Sequence, residues 1–241
     1  SKPYLEELSH TNIDKVLEAI YTVQSTAWRI NKPVLEVMTH FWNLGGGPTY
    51  GLPYKTNAPL PSCPICGQIP DGKKKHECFV EDEDAHNEWK KDAGLVHEKN
   101  HKERGKRTAQ AYKLEIARQY QDEEEIYFPH KMDFRGRIYP IPTFLHPQMD
   151  DSGRALLEFA EGKPVDETGL FYLKVHGANC YEEVAVSPVK TIKLTNLTLN
   201  QRVQWIDDNH SKIMACAADP IENRWWLEAE KPYHFLAFCF D

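Results

Sequence analysis

Five consecutive residues, Asp133-Phe134-Arg135-Gly136-Arg137, combine types that could hold a sugar–phosphate backbone. If the stretch is extended, Asp133, Arg135 and Arg137 share one face, since alternate residues of a strand point the same way. Arginine offers a planar fork that can hold phosphate through two parallel hydrogen bonds, and Asp133 could fix one guanidinium in place. Gly136 would let a partner approach the backbone closely. The alternative interpretation is a surface ion-pair cluster, which contributes little to folding stability.

A second group of residues could bind a metal ion. Cys63-Pro64-Ile65-Cys66 is followed by His76 and Cys78. Three thiolates and one imidazole can hold zinc tetrahedrally, although the spacing between His76 and Cys78 is tight for a zinc knuckle. The alternative is three free thiols on a loop. With only six cysteines in 241 residues, the chain lacks the density of a disulfide scaffold, which favours a reducing compartment.

Charge is distributed unevenly along the chain. The net charge is −7, but residues 88–118 carry nine Lys and Arg against five Asp and Glu. A basic helix here would attract phosphates independently of sequence, or it would be a solvated charged face. The candidates for phosphate contact are Lys99, Lys102, Lys106 and Arg107, with Lys90, Lys91 and Arg104 beside them. No stretch approaches the ~20 apolar residues of a membrane helix, so we predict no membrane partner.

The elements that must position these residues are mostly helical. Apolar spacing predicts helices over 11–30, 153–161, 166–178 and 201–218, and one or two basic helices over 85–120 with weak points at Gly94 and Gly105. Short strands are expected at 127–129 and 137–141, a long loop at 45–80, a loop or hairpin at 181–200, and a helix or strand at 232–241. The predicted fold class is mixed α+β and predominantly α-helical. The chain starts at Ser1 and stops inside an apolar run, so we expect a segment of a longer protein.

The flanks of the Asp133–Arg137 stretch carry a family resemblance. Residues 127–140 resemble the Asp-x-x-Gly-Arg region of single-subunit RNA polymerases of the bacteriophage and mitochondrial type. Further similar segments lie in the family's order. One is upstream, at residues 26–35, and the others are downstream, at residues 154–157, 162–164, 173–180, 209–217, 220–226 and 235–240. From residue 173 onward the segments are closer to phage members. The resemblance spans most of residues 12–44 and 85–241. Residues 45–80 match the family poorly, and residues 181–200 look longer than the phage segment.

The resemblance implies a partial right-hand polymerase fold and a DNA-directed RNA polymerase as the whole protein. The implied divisions are a helical segment (1–44), a loop with a possible zinc knuckle (45–84), thumb-like helices (85–125), the start of the palm (126–165) and a palm insertion (166–241). The implied partners are a DNA template, nascent RNA and NTPs, and the implied enzyme is monomeric. It would act in the cytoplasm of an infected bacterium or, alternatively, in the mitochondrial matrix.

The family's two-metal chemistry implies Mg²⁺ in the full-length enzyme. The aspartates that hold it belong to motifs not found in this sequence, so we expect the chain alone not to polymerise RNA. The resemblance places Asp133, Arg135, Gly136 and Arg137 beside template and RNA, with Arg137 as the most direct contact. Tyr139 and Arg154 are further candidates near the nucleic acid, and the basic segment falls where the family has its thumb.

Two other functions remain open at this stage. One is a stand-alone nucleic-acid-binding or zinc-knuckle module without catalytic activity, in which a zinc loop and a basic helix do the binding. The other is a decayed relative of the polymerases that is kept as an interaction protein. An Asp-containing palm motif downstream in the same reading frame would favour the polymerase.

Overall fold

A computed structural model describes residues 12–70, 76–187 and 190–241 of the chain. The chain forms two compact units. Unit 1 contains the described residues up to His40 together with Lys113–Asp241, and unit 2 contains Phe41–Tyr112. Helices predominate and the strands are short, so the mixed α+β class predicted from the sequence is confirmed. Among the described residues, no helix is both long and apolar enough to cross a membrane.

The chain begins with two helices separated by a short strand. Helix α1 is Asp14–Gln24, strand β1 is Trp28–Ile30 and helix α2 is Lys32–Asn43. The helix predicted over 11–30 was therefore wrong beyond Gln24, and its predicted start at residue 11 lies outside the described residues. Strand β1 forms because it pairs antiparallel with a distant strand, β4, at Leu157–Phe159. The aromatic rings of Trp28 and Phe159 stack across this pair with their centroids 4.5 Å apart.

The same pairing corrects the helix predicted over 153–161. Only Asp151–Ala155 is helical, as the one-and-a-half-turn helix α5, before the chain enters β4. The side chain of Asp150 caps this helix by accepting a hydrogen bond from the backbone N–H of Gly153. A partner strand about 130 residues away overrides the local helical spacing here, because strand pairing satisfies backbone groups that a short helix leaves open.

The C-terminal half of unit 1 is a helical cluster. Its elements are α6 (Glu167–Tyr181), α7 (Leu199–Asp208), α8 (His210–Ala218), a 3₁₀ turn (Arg224–Glu228) and α9 (Pro232–Phe240). The fully buried side chains here include Trp226, Tyr233, Phe235 and Leu236. Helix α9 packs closely on α6 because Gly177 leaves room for the ring of Phe238. The helix predicted over 166–178 is confirmed, and the segment 232–241, expected to be a helix or a strand, is a helix.

Two further predictions changed in detail. The helix expected over 201–218 is two helices, since Asn209 leaves helical geometry with φ −104° and ψ 11°. The expected loop or hairpin at 181–200 contains an antiparallel hairpin of β5 (Glu183–Ser187) and β6 (Lys190–Lys193), of which residues 188 and 189 lie outside the described part. The strand expected at 127–129 was wrong, because β2 begins only at His130 and spans His130–Met132. The strand expected at 137–141 is confirmed as β3, Ile138–Pro140.

Unit 2 is built around one long helix. The short helix α3, Cys78–Glu81, leads into α4, Glu83–Tyr120, which is continuous through Gly94 and Gly105. The expected weak points therefore do not interrupt it.

Residues 54–61 form a strap that runs antiparallel to α4. Arg107 donates to the carbonyl of Tyr54, Asn100 exchanges two hydrogen bonds with the backbone of Ala58, and the Trp89 indole donates to the carbonyl of Pro61. From residue 107 back to 89 the helix covers about 27 Å at 1.5 Å per residue, and these hydrogen bonds hold the strap along that length.

Candidate nucleic-acid interface

The Asp133–Arg137 stretch forms the turn of the β2–β3 hairpin. Strands β2 and β3 pair antiparallel, with Met132 opposite Ile138. The turn is closed by a hydrogen bond from the N–H of Gly136 to the carbonyl of Asp133, at 3.0 Å, and by one from the N–H of Asp133 to the carbonyl of Arg137, at 2.9 Å. Gly136 has φ +78°, a left-handed conformation that favours glycine. The extended arrangement expected from the sequence was therefore wrong, because Gly136 reverses the chain.

Asp133 is the hub of this turn. One of its carboxylate oxygens, Oδ1, accepts hydrogen bonds from the backbone N–H groups of Arg135 and Arg137, at 2.9 and 3.0 Å. The other, Oδ2, accepts from Nε and Nη2 of Arg135, at 3.0 and 2.8 Å. The pKa of Asp133 is lowered, chiefly by the hydrogen bond from the Arg137 backbone and further by the Arg135 side chain and backbone, which together outweigh its desolvation. The expected role of Asp133 in fixing one guanidinium is visible, and that guanidinium belongs to Arg135.

Arg137 is the exposed cation of the turn. Its backbone N–H is held by Asp133, but no hydrogen bond or ion pair engages its guanidinium within the described residues. Phe134, at the tip, is 97% exposed, and the guanidinium of Arg135 lies 5.5 Å from the centre of its ring. An exposed aromatic ring and an exposed guanidinium within one turn can offer a stacking surface and a phosphate contact. Sequence reasoning missed Phe134; an aromatic residue inside a charged turn motif was the available signal.

Tyr139 is joined to the turn, whereas Arg154 is not. The hydroxyl of Tyr139, on β3, accepts a long hydrogen bond of 3.4 Å from Nη2 of Arg135. Arg154 is exposed on α5 and makes no recorded hydrogen bond to the hairpin in the part of the chain described. The pKa of His176 is lowered by burial and then by the charges of His234, Arg154 and Lys231, so Arg154 lies among basic side chains. Carboxylates lie there too, because Asp151 accepts from the ring of His234 and Glu182 from Lys231.

The four basic candidates of α4 lie in unit 2, and each has a partner in the chain. Lys102 pairs with Glu98 at 2.6 Å and Lys106 with Glu103 at 3.0 Å. Arg107 donates to the Tyr54 carbonyl and to Oδ1 of Asn57 at 2.7 Å, and Nζ of Lys99 lies 5.9 Å from the Tyr54 ring centre. Exposed helix pairs contribute only ~0.3–0.5 kcal/mol, so the lysines can exchange these partners for phosphates. Arg107 would first have to release the strap.

The cysteine group of the sequence is assembled in the structure. One ligand atom from each of Cys63, Cys66, His76 and Cys78 lies within 4.8 Å of the others. Within the described residues this is the one group of three or more His, Cys, Asp or Glu side chains close enough to hold a metal ion. It is compatible with zinc.

The adjacent aspartate pairs of the sequence are engaged in structural contacts. Asp150 accepts hydrogen bonds from Lys113, and Asp151 accepts them from the backbone and ring of His234. In α7, Asp207 pairs with Lys174 at 2.6 Å and Asp208 accepts from the side chain of Gln204. Asp150 also caps α5, so these aspartates serve structural contacts.

Comparison with known proteins decides the family. Residues 163–241 match the DNA-dependent RNA polymerase family. The whole chain is 34% identical to T7 RNA polymerase of Escherichia phage T7, over 25% of that protein. The chain belongs to the single-subunit RNA polymerase family. Over 95% of its length the chain is 36% identical to DNA-directed RNA polymerase 2, chloroplastic/mitochondrial, of Arabidopsis thaliana, covering 20% of that relative. A mitochondrial DNA-directed RNA polymerase of Neurospora crassa is 34% identical over 97% of the chain and 15% of the relative.

The chain spans about a quarter of the length of the phage relatives, or less for the organellar ones. The matches to the phage relatives extend over all 241 residues, so they include the β2–β3 hairpin and the Cys₃His cluster of unit 2. The T7 polymerase and the Arabidopsis thaliana relative are similar to this chain to nearly the same degree, 34% and 36% identical.

Proposed function

We propose that this chain is the part of a DNA-directed RNA polymerase that holds the template strand and the nascent RNA through the β2–β3 hairpin. The observation that carries the proposal is the pair formed by Asp133 and Arg137. Asp133 fixes the turn with four hydrogen bonds, and the guanidinium of Arg137 is left exposed in the same turn. A rigid turn that presents one uncommitted fork suits a phosphate, because little conformational entropy is lost on binding.

In this proposal the residues have distinct roles. Arg137 contacts a phosphate or sugar, Asp133 and Arg135 hold the turn, and Gly136 reverses the chain. Tyr139 lies toward the template near the start position, and Arg154 supplies a positive charge nearby. Such contacts position a strand without reading its sequence. The basic face of α4, with Lys99, Lys102, Lys106 and Arg107, serves as the thumb and adds sequence-independent attraction.

The reaction proposed for the whole protein is template-dependent nucleotidyl transfer from NTPs. Mg²⁺ would supply charge neutralisation at the reacting phosphates when bound. We place its ligands in parts of the polymerase that this chain does not span, because the aspartate pairs here are engaged by Lys113, His234, Lys174 and Gln204. We further propose a start of the palm at 126–165, a palm insertion at 166–241 and a monomeric enzyme. The host cytoplasm of a phage is the proposed location, with the mitochondrial matrix as the alternative.

The experiment is titration of the 241-residue chain against a fluorescent RNA–DNA hybrid. We expect Arg137→Ala to weaken binding about 5- to 10-fold and to lower the salt dependence by about one counterion. The matched control is Arg118→Ala, which removes an exposed arginine that forms a long ion pair of 3.8 Å with Glu115. Unchanged affinity and salt slope in Arg137→Ala would show that the hairpin is not the contact.

A second candidate function is favoured by unit 2 alone. Its basic helix and Cys₃His cluster would suit a stand-alone nucleic-acid-binding module with a structural zinc ion. Lys90→Glu with Lys91→Glu separates the two candidates, because both lysines are exposed on α4. If this double variant abolishes hybrid binding while Arg137→Ala has no effect, the second candidate replaces the first.

A further inference from the structure

The Cys₃His cluster has the dimensions of a tetrahedral metal site. Zinc binds thiolates at about 2.3 Å and imidazole at about 2.0–2.1 Å, so ligand atoms on a tetrahedron lie about 3.5–3.8 Å apart. The four ligand atoms here lie within 4.8 Å of one another, and Sγ of Cys66 is 3.1 Å from Nε2 of His76. Side-chain shifts of about 1 Å would bring all four onto one ion. The tight spacing of His76 and Cys78 therefore does not keep their ligand atoms apart.

The backbone around Cys63 is folded to receive a metal-bound sulfur. The N–H of Cys63 donates to the carbonyl of Gln68 at 2.6 Å, and the N–H of Gly67 donates to the carbonyl of Cys63 at 2.9 Å. Gly67 has φ +75°, which allows the chain to reverse directly after Cys66. This turn fixes the backbone that carries the first two candidate ligands, Cys63 and Cys66.

The other two ligands come from the start of the helical segment. Cys78 is the first residue of α3, and His76 lies just before it. Next to them, Phe79 is 1% exposed, and its ring centre lies 4.9 Å from that of His86 and 5.5 Å from that of Trp89. The site thus joins the end of the strap to the small aromatic core at the beginning of α4.

We propose that Cys63, Cys66, His76 and Cys78 bind one zinc ion, which fastens the end of the 54–61 strap to the start of the α4 helix. Thiolates with imidazole select zinc, whereas Mg²⁺ and Ca²⁺ prefer oxygen ligands. Four protein ligands fill a tetrahedral shell, so the ion is structural and leaves no position for substrate. The segment needs such a tie, because between α2 and α3 the described residues contain a single 3₁₀ turn and few buried apolar side chains. This inference concerns unit 2 and stands apart from the polymerase proposal.

The test measures metal content and cobalt spectra of the purified 241-residue chain. We expect about one zinc ion per chain after reconstitution under reducing conditions. Cobalt substituted for zinc should give thiolate charge-transfer bands and the visible bands of a tetrahedral ion, and Cys66→Ser should lower the charge-transfer intensity by about a third because one of three thiolates is lost. His76→Ala should lower zinc affinity. The control is His101→Ala, which removes an exposed histidine of α4 away from the cluster.

A second readout does not depend on the variants folding. Chelation of zinc should speed amide hydrogen exchange in residues 54–68 and 78–93 and leave residues 199–240 of unit 1 unchanged. A chain with no stoichiometric zinc after reconstitution, an octahedral cobalt spectrum, or exchange that chelation does not alter would each overturn the proposal. A disulfide between Cys63 and Cys66 that persists in reducing buffer would overturn it as well. Loss of hybrid binding in Arg137→Ala has no bearing on these outcomes.

Discussion

Arg135 is held by Asp133 through two hydrogen bonds from its guanidinium to a single carboxylate oxygen, at 2.8 and 3.0 Å. Two arginines of one short turn are thereby divided between two tasks. Arg135 is committed to the turn, and Arg137 gives only its backbone N–H to Asp133. The division explains how a charged five-residue turn can be rigid and still present a cation to a ligand.

Removing the Asp133 carboxylate should therefore weaken hybrid binding even though it removes a negative charge. In Asp133→Ala the N–H groups of Arg135 and Arg137 lose their acceptor, and the turn becomes mobile. We expect affinity for the RNA–DNA hybrid to fall several-fold in the titration described above. A purely electrostatic role for the turn predicts the opposite, tighter binding, and that result would refute the bracing role of Asp133.

The titration of Asp133 gives an independent check on the same contacts. Its pKa is lower in the folded state than its ordinary value of 3.8, so its contribution to stability is present above pH 3.8 and is lost as pH falls through the folded pKa. Carboxyl NMR shifts should give a midpoint below 3.8. Arg135→Ala should raise the pKa of Asp133 only part of the way back to 3.8, since the hydrogen bond from the Arg137 backbone is the largest cause of its lowering. Full recovery would mean that the side-chain pair dominates.

Gly136 should tolerate a side chain sterically but not conformationally. A Cβ there would meet nothing within 4 Å, yet φ is +78°. A left-handed conformation costs a non-glycine residue about 1 kcal/mol, so Gly136→Ala should weaken hybrid binding up to about fivefold. Gly136→Asn should be milder, because asparagine accepts this conformation more readily. Equal effects of the two substitutions would point to a steric contact with the nucleic acid instead.

The ion pair of Lys113 and Asp150 should respond asymmetrically to substitution. The Lys113 side chain is 4% exposed and Asp150 is 63% exposed. Asp150→Ala leaves a buried ammonium without its counter-ion and removes the cap of α5, which should cost about 3 kcal/mol of unfolding free energy. Lys113→Met buries no charge and leaves a solvated carboxylate, so it should cost about 1 kcal/mol or less. Urea denaturation gives the free energy of unfolding of both variants. A larger loss for Lys113→Met than for Asp150→Ala would contradict the burial of Lys113.

Two glycines in helices should have opposite effects when changed to alanine. A Cβ at Gly177 would lie 2.5 Å from the Phe238 ring, so Gly177→Ala should destabilise the chain by about 2–3 kcal/mol through overpacking. Gly105 has open space around it within the exposed face of α4, so Gly105→Ala should stabilise that helix by about 0.5–1 kcal/mol. Thermal unfolding measures both. A neutral Gly177→Ala would show that α9 does not pack on α6 as described.

The sequence predicted elements wherever local spacing controls the structure. The long basic helix and the helices of the C-terminal cluster were predicted in place, although the helix over 201–218 is two helices. Prediction from the sequence failed where a partner strand far away in the chain determines the local structure, as in the pairing of Trp28–Ile30 with Leu157–Phe159. It also failed at the turn. The alternation of Asp133, Arg135 and Arg137 is typical of a strand, but the left-handed conformation of Gly136 reverses the chain there. The sequence indicated the four residues of the cysteine cluster. Their ligand atoms lie close together because a helix begins at Cys78, and spacing alone does not specify that start.

The measurement that tests the central claim most directly is RNA synthesis by the complete polymerase of which this chain is the proposed segment. With template, NTPs and Mg²⁺, we predict template-dependent RNA, a loss of at least about tenfold in rate for Arg137→Ala, and partial recovery in Arg137→Lys, which keeps the charge but not the fork. Full activity in Arg137→Ala, or no template-dependent RNA from the unsubstituted protein, would contradict the account.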